Sequence, residues 1–198
     1  ILAYKHGADF EEVLCFQDIK KYQDKDWVDG DLVVCFMLAR GVDVLLNIIT
    51  DFYNSLIKKG RKLHMGEIAY FNAMTRLRES FKSVLILCDR GFFIEMMPIM
   101  RLIYEQLCWA CYAIDEQDYE NLNQNWKTKN TRYLKEKINP EYGKLYSVLS
   151  AESHMAIPEM GKYLEIDENN MAASVKGRSA IRAKEDIPYI ILLYQIFI

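Results

Sequence analysis

Glycine and proline are scarce in this chain, at 9 and 4 of 198 residues. Domains built from many short strands need such residues at frequent turns, so an all-β architecture is disfavoured and long uninterrupted elements are expected. Charge of one sign is lacking too. Twenty-five basic residues face 28 acidic ones, for a formal charge of −3 and a pI near 5.7. No global field therefore draws the chain to nucleic acid or to an anionic membrane, and any polyanion site must be local. An apolar run of about 20 residues, the length that spans a bilayer, is also missing. Met96 to Ile114 comes closest, but Arg101, Glu105 and Gln106 interrupt it. It reads as a helix buried on nearly every face inside a bundle, with no membrane partner. There is no N-x-S/T acceptor, we expect no secretory leader, and the 5 cysteines, at positions 15, 35, 88, 108 and 111, are odd in number and irregular in spacing. These features favour a reducing cytoplasm.

What is present is apolar periodicity, in a chain that is 51% hydrophobic and 27% charged. This is an ordinary globular balance for one domain over residues 1–198. Because the chain opens on Ile1 and ends within an apolar run at Ile198, we expect it to be part of a longer polypeptide. Asp9-Phe10-Glu11-Glu12 matches a capping box and predicts a first helix to about Gln23. Asp31 then caps the strongest helical pattern in the chain, with Cys35, Ala39, Val42, Leu45, Leu46, Ile49 and Tyr53 recurring at three-four spacing. It should end at Lys58-Lys59-Gly60, where cations suit the helix C-terminus and glycine can take the left-handed cap.

Further helices are expected over Glu67 to Asp89 and Phe92 to Asp115, the second with a kink or late start at Pro98. The Arg90-Gly91 connection is short enough to make the two antiparallel. Asp118 to Asn130, rich in Asn, Gln and charge, reads as a poorly packed connection before a weaker helix to Ile138. Asn139-Pro140 is a start signal for a helix ending before Pro158. Tyr163–Ile166 and Ala172–Val175 predict a small β-hairpin turning at Asp167–Asn170, and Pro188 to Ile198 a last helix. The expected fold is thus all-α, an antiparallel helical bundle with that one hairpin near its C-terminal end.

Four side chains carry the candidate chemistry. Arg101 and Glu105 interrupt the most apolar helix, and charges there must be paired or hydrated because burying them alone costs several kcal/mol. Ser150 and His154 share one helical face, with Tyr146 a turn earlier. Taken alone that pair reads as structural; it becomes a site only if Arg101 and Glu105 face it. His154 suits acid, base or ligand work near neutral pH. Ser150 is a poor nucleophile candidate, since the pattern offers neither a strained turn nor an oxyanion hole. Cys108-Trp109-Ala110-Cys111 has the spacing of a metal or redox pair, but it lies late in a helix with no further ligands nearby, so we read it as buried structural thiols and expect no metal or cofactor. Two basic clusters, Lys58 to Lys62 and Lys127, Lys129, Arg132, Lys135 and Lys137 with Trp126 and Tyr133 interleaved, are read as solvated faces, with single-stranded RNA as the alternative occupant.

The stretches "GFFIEMMPIMRLIYE" from Gly91 and "KLYSVLSAESH" from Lys144 resemble an uncharacterised, mainly bacterial family of unknown function. Gly91, Glu95, Arg101, Glu105, Ser150 and His154 are the matching positions. That family is in turn similar to the HEPN superfamily, all-helical domains found as homodimers in bacterial defence and toxin systems. The resemblance implies a HEPN-like bundle that binds or processes RNA or a nucleotide in bacterial stress or defence, as a homodimer. Some members of that superfamily cut RNA without a metal, using an Arg and a His four to six residues later on one helix. Leu149 to Ser153 contains no Arg, so that motif is absent here, and Arg101 would have to supply the cation from another helix. The alternative expectation is a non-catalytic dimerisation or partner-binding module.

Overall fold

Apolar stripes on long helices account for most of the architecture. The computed structural model describes residues 30–90, 92–154, 164–167, 172–175 and 180–197. The first expected helix, Asp9 to Gln23, lies outside the described residues. Among those described, the helices are α1 (Gly30–Lys58), α2 (Met65–Asp89), α3 (Phe93–Ala113), α4 (Tyr119–Lys137), α5 (Tyr142–Ser153) and α6 (Ala180–Phe197). Leu164–Asp167 (β1) pairs antiparallel with Ala172–Val175 (β2), Leu164 opposite Val175 and Asp167 opposite Ala172. Residues 168–171, where the hairpin turn was expected, lie outside the described residues. The bundle itself is built from helices alone.

α3 is the central helix, packed against α2, α4, α5 and α6. Met96, Met97, Met100, Ile103, Tyr104, Leu107, Cys108 and Ala110 point in different directions around it, and all are fully buried. That is why the sequence is apolar nearly all round it, and no helix among the described residues is long and apolar enough to cross a membrane. Pro98 lies in its second turn, so the proline does not delay the start of the helix.

Helix ends follow local chemistry. α1 stops where Gly60 takes φ +83°. The Arg61 N–H then donates to Leu56 O at 3.1 Å and the Gly60 N–H to Ile57 O at 2.9 Å, the paired bonds of a Schellman cap. α2 begins two residues before the expected Glu67 because His64 is its cap. Nδ1 of His64 accepts from the Glu67 N–H at 3.3 Å, and the Glu67 carboxylate accepts the His64 N–H at 3.1 Å. Arg61 Nη2 adds a 2.7 Å bond to the same, nearly buried, carboxylate. α5 begins at Tyr142, two residues after Pro140, with Asn139 Oδ1 accepting from Glu141 N at 3.0 Å.

Two expectations are corrected. Asp118 to Asn130, though thinly packed, is not a connection but most of α4. Asp118 caps it through Oδ1, which accepts from Glu120 N at 2.7 Å and from Asn121 N at 3.4 Å. Glu120 in the first turn and Lys135 and Lys137 in the last complement the helix dipole. Only Leu122 and Leu134 are buried, so capping and charge placement hold together a helix whose apolar pattern is thin. The last helix does not begin at Pro188 either. α6 starts at Ala180 and runs through the proline, burying Ile190, Leu193, Tyr194 and Phe197.

Candidate functional site

Two helices bring the polar candidates together. Arg101 and Glu105 lie one turn apart on α3, and Arg101 Nε donates to Glu105 Oε1 at 3.0 Å. His154 is the C-cap of α5, 53 residues further along, and the Arg101 Nη1–H donates to its Nε2. A guanidinium can only donate, so this contact requires an unprotonated Nε2 and places the ring proton on Nδ1. Tyr146, two turns back on α5, closes the arrangement: its hydroxyl donates to Glu105 Oε1 at 3.3 Å, and the Arg101 guanidinium lies 5.7 Å from its ring centroid. Tyr146 also leans on buried Tyr104, ring centroids 5.1 Å apart. The i, i+4, i+8 spacing of Tyr146, Ser150 and His154 turns one face of α5 toward α3.

The cluster is half-buried rather than sealed. The side chains of Arg101 and Glu105 are 26% and 20% exposed, and His154 is exposed. Partial burial works against the Arg101 charge, but Tyr146 and Glu105 outweigh it and raise its pKa above the usual value. Burial likewise is the main reason the Tyr146 hydroxyl is held above its ordinary value, with the Glu105 carboxylate adding to it against Arg101. The site therefore joins a fixed cation, a carboxyl group whose Oε1 accepts two hydrogen bonds, a neutral phenol and an imidazole at the open edge.

Three of the four sequence candidates, Arg101, Glu105 and His154, meet directly. Ser150 lies half-buried between Tyr146 and His154 on the same face, and no hydrogen bond ties its hydroxyl to the other three. Glu95 is exposed in the first turn of α3 and stays apart; Gly91 lies outside the described residues. Tyr146 is the participant that sequence reasoning underrated, and its i−8 relation to His154 was the available signal.

Lys58 to Lys62 is the exposed end of α1. On α4, Tyr133 turns inward to Tyr112, ring centroids 5.8 Å apart, while Lys129 bonds Glu136 at 3.5 Å. Trp126, Lys127, Arg132, Lys135 and Lys137 are exposed, with Lys127 Nζ 5.4 Å from the Trp126 ring centroid. Cys108 and Cys111 are buried and lie outside any disulfide, and no group of His, Cys, Asp or Glu among the described residues has the arrangement of a metal site.

Burial pushes the Cys108 thiol up to about 12 and Cys88 up to about 11. A thiol whose folded pKa exceeds its unfolded value of about 9 contributes stability that is complete below pH 9 and lost as pH rises toward the folded value. At pH 10 Cys108 alone should remove about 1.4 kcal/mol. Urea midpoints at pH 8 and pH 10 check this: a fall is expected, and Cys108→Ala should reduce it.

A family model described as "Family of unknown function (DUF5677)" matches residues 67–124. The match covers under a third of the chain and spans α2 from Glu67, all of α3 and the first turns of α4. Arg101 and Glu105 fall inside it; Ser150 and His154 do not. No curated protein and no solved structure matches the chain.

Proposed function

We propose that this chain is a HEPN-like helical domain that binds, and without a metal processes, RNA or a nucleotide at the Arg101–His154 cluster. The observation that carries the reading is the meeting of a fixed guanidinium and an unprotonated imidazole nitrogen at a solvent-open position, reached from separate helices. Phosphoryl transfer from a ribose uses those two capacities. Once substrate displaces Arg101 Nη1 from His154 Nε2, His154 would exchange protons with the 2′-hydroxyl and with the departing oxygen, and Arg101 would stabilise the negative charge that accumulates on phosphorus oxygens. Glu105 and Tyr146 are positioning residues, since they hold the guanidinium through Nε and against the phenol ring while Nη1 reaches His154. The setting that the resemblance implies, a cytoplasmic homodimer in bacterial stress or defence, belongs to the same proposal.

Incubation of the purified chain with mixed RNA tests it. His154→Ala should lower cleavage by about 10²- to 10⁴-fold with RNA binding retained. Arg101→Met should weaken binding as well. Cleavage that is absent in the parent chain, or equal in the His154 variant, removes the catalytic reading, and unchanged RNA affinity in Arg101→Met removes the binding reading.

A second reading, a non-catalytic dimerisation or partner-binding module, is favoured by the absence of any Arg in the five residues before His154. In that case the cluster is a structural tie between α3 and α5. A light-scattering mass equal to the monomer at micromolar concentration would oppose it.

A further inference from the structure

A second site lies on the other side of Glu105. Between α2, α3 and α4 the packing leaves a cavity of about 490 Å³, in the size range of small-molecule sites. Ala69 and Ala73 on α2 are too short to fill it, and α4 brings few apolar side chains toward it. Its lining is not that of a packing defect. Gln106 on α3 is 6% exposed, yet neither its amide oxygen nor its amide nitrogen has a hydrogen-bond partner. The side-chain oxygen of Asn130, opposite on α4, is buried and unpartnered as well. Buried amides are almost always satisfied, so unpaired ones lining a cavity call for a partner, and a ligand's polar edge can supply it. Trp109 on α3 and Trp126 on α4 add two indoles from different helices. Arg76, exposed on α2, is the cation of the lining, whereas Glu105 gives its Oε1 to Arg101 and Tyr146.

We infer that this cavity binds a nucleobase-bearing small molecule. A flat heterocycle stacks on Trp126 and Trp109, its in-plane donors and acceptors pair with the amides of Gln106 and Asn130, and its sugar or phosphate end lies toward Arg76. The chemistry selects this class. An apolar ligand would leave the amides unpaired, and a simple anion would leave the indoles unused; a nucleobase has both a face that stacks and an edge that both donates and accepts. Both amide atoms of Gln106 and the side-chain oxygen of Asn130 are shielded from solvent, so rotations of both side chains accompany entry. The inference goes beyond the RNA reading and stands without it, because a nucleoside has no phosphate for Arg101 and His154 to hold.

Titration calorimetry of the intact chain with adenosine, guanosine, cytidine and uridine, and with their 5′-monophosphates, is the test. At least one nucleoside should bind saturably, with Kd below about 1 mM, and should quench tryptophan fluorescence. Gln106→Leu and Trp126→Ala should each weaken it about tenfold or more; Trp126 is 48% exposed, so its variant reads binding without endangering the fold. The monophosphate should bind more tightly than the nucleoside, and Arg76→Ala should abolish that difference. Absence of saturable binding by every ligand in the set overturns the inference, as does an affinity that both the Gln106 and the Trp126 substitutions leave unchanged. Neither result touches the RNA experiment with His154→Ala.

Discussion

Gly66→Ala is expected to destabilise the protein by about 3 kcal/mol or more, although alanine is the better helix former. Gly66 is the second residue of α2 and abuts the end of α3. A Cβ built there falls well inside contact distance of the carbonyl oxygens of Ala113 and Glu116. Both obstructions are backbone, so no side chain can rotate away to relieve them. Either α2 lifts off α3 or the C-terminal turn of α3 distorts. Helix propensity argues in the opposite direction, by roughly 1 kcal/mol in favour of alanine, so the sign of the measured change decides between packing and propensity. Overpacking of this kind usually costs about 1–3 kcal/mol and more where the obstruction is rigid. Differential scanning calorimetry should give a melting temperature lower by roughly 10 °C for a domain of this size. A variant as stable as the parent, or more so, would show that the two helices do not approach this closely.

Tyr194→Ala should cost about 3–5 kcal/mol, the range for deleting a buried aromatic side chain. Its ring is fully buried and stacked on Phe81 of α2, centroids 4.2 Å apart and planes at 14°, and Phe197 approaches the same Phe81 edge-on at 5.7 Å. These rings fasten α6 to the bundle, because α6 packs mainly on α1 and α3 and reaches α2 through Phe81. The hydroxyl contributes nothing to that attachment: it is buried without a partner, and burial drives its pKa well above the usual value. Tyr194→Phe should therefore be neutral or stabilising, since it removes an unpaired polar group and keeps the stacked face. Urea denaturation of the two variants side by side separates ring from hydroxyl. Equal losses in both would mean that the hydroxyl, not the stacking, is what matters.

Both sites draw on residues that sequence patterns treat unevenly. The need of Arg101 and Glu105 for partners was legible, and so was the shared face of Tyr146, Ser150 and His154. Their meeting was not legible, because α3 and α5 are joined through all of α4 and nothing in either segment specifies the angle at which they cross. The cavity was less legible still. Trp126 and Asn130 sat in a segment whose Asn, Gln and charge content resembled a connection, and only the Asp118 cap and the dipole-matched ends make it a helix. Gln106 looked like one more interruption of an apolar run. His64 escaped notice as a cap because Ser, Thr, Asp and Asn are the usual capping residues, whereas here an imidazole nitrogen accepts the bond.

The sequence by itself determined the helices α1, α2, α3 and α5 to within a few residues, together with the left-handed stop at Gly60 and the buried centre at α3. Each of these is set by hydrophobic period and by hydrogen bonds between residues close along the chain. Only the tertiary structure decided that Arg101 would face His154, that Gly66 would touch the end of α3, and that Ala69, Gln106 and Trp126 would enclose a space. Those outcomes depend on how far and at what angle whole helices approach one another, which is fixed by the summed packing of many side chains distant in sequence.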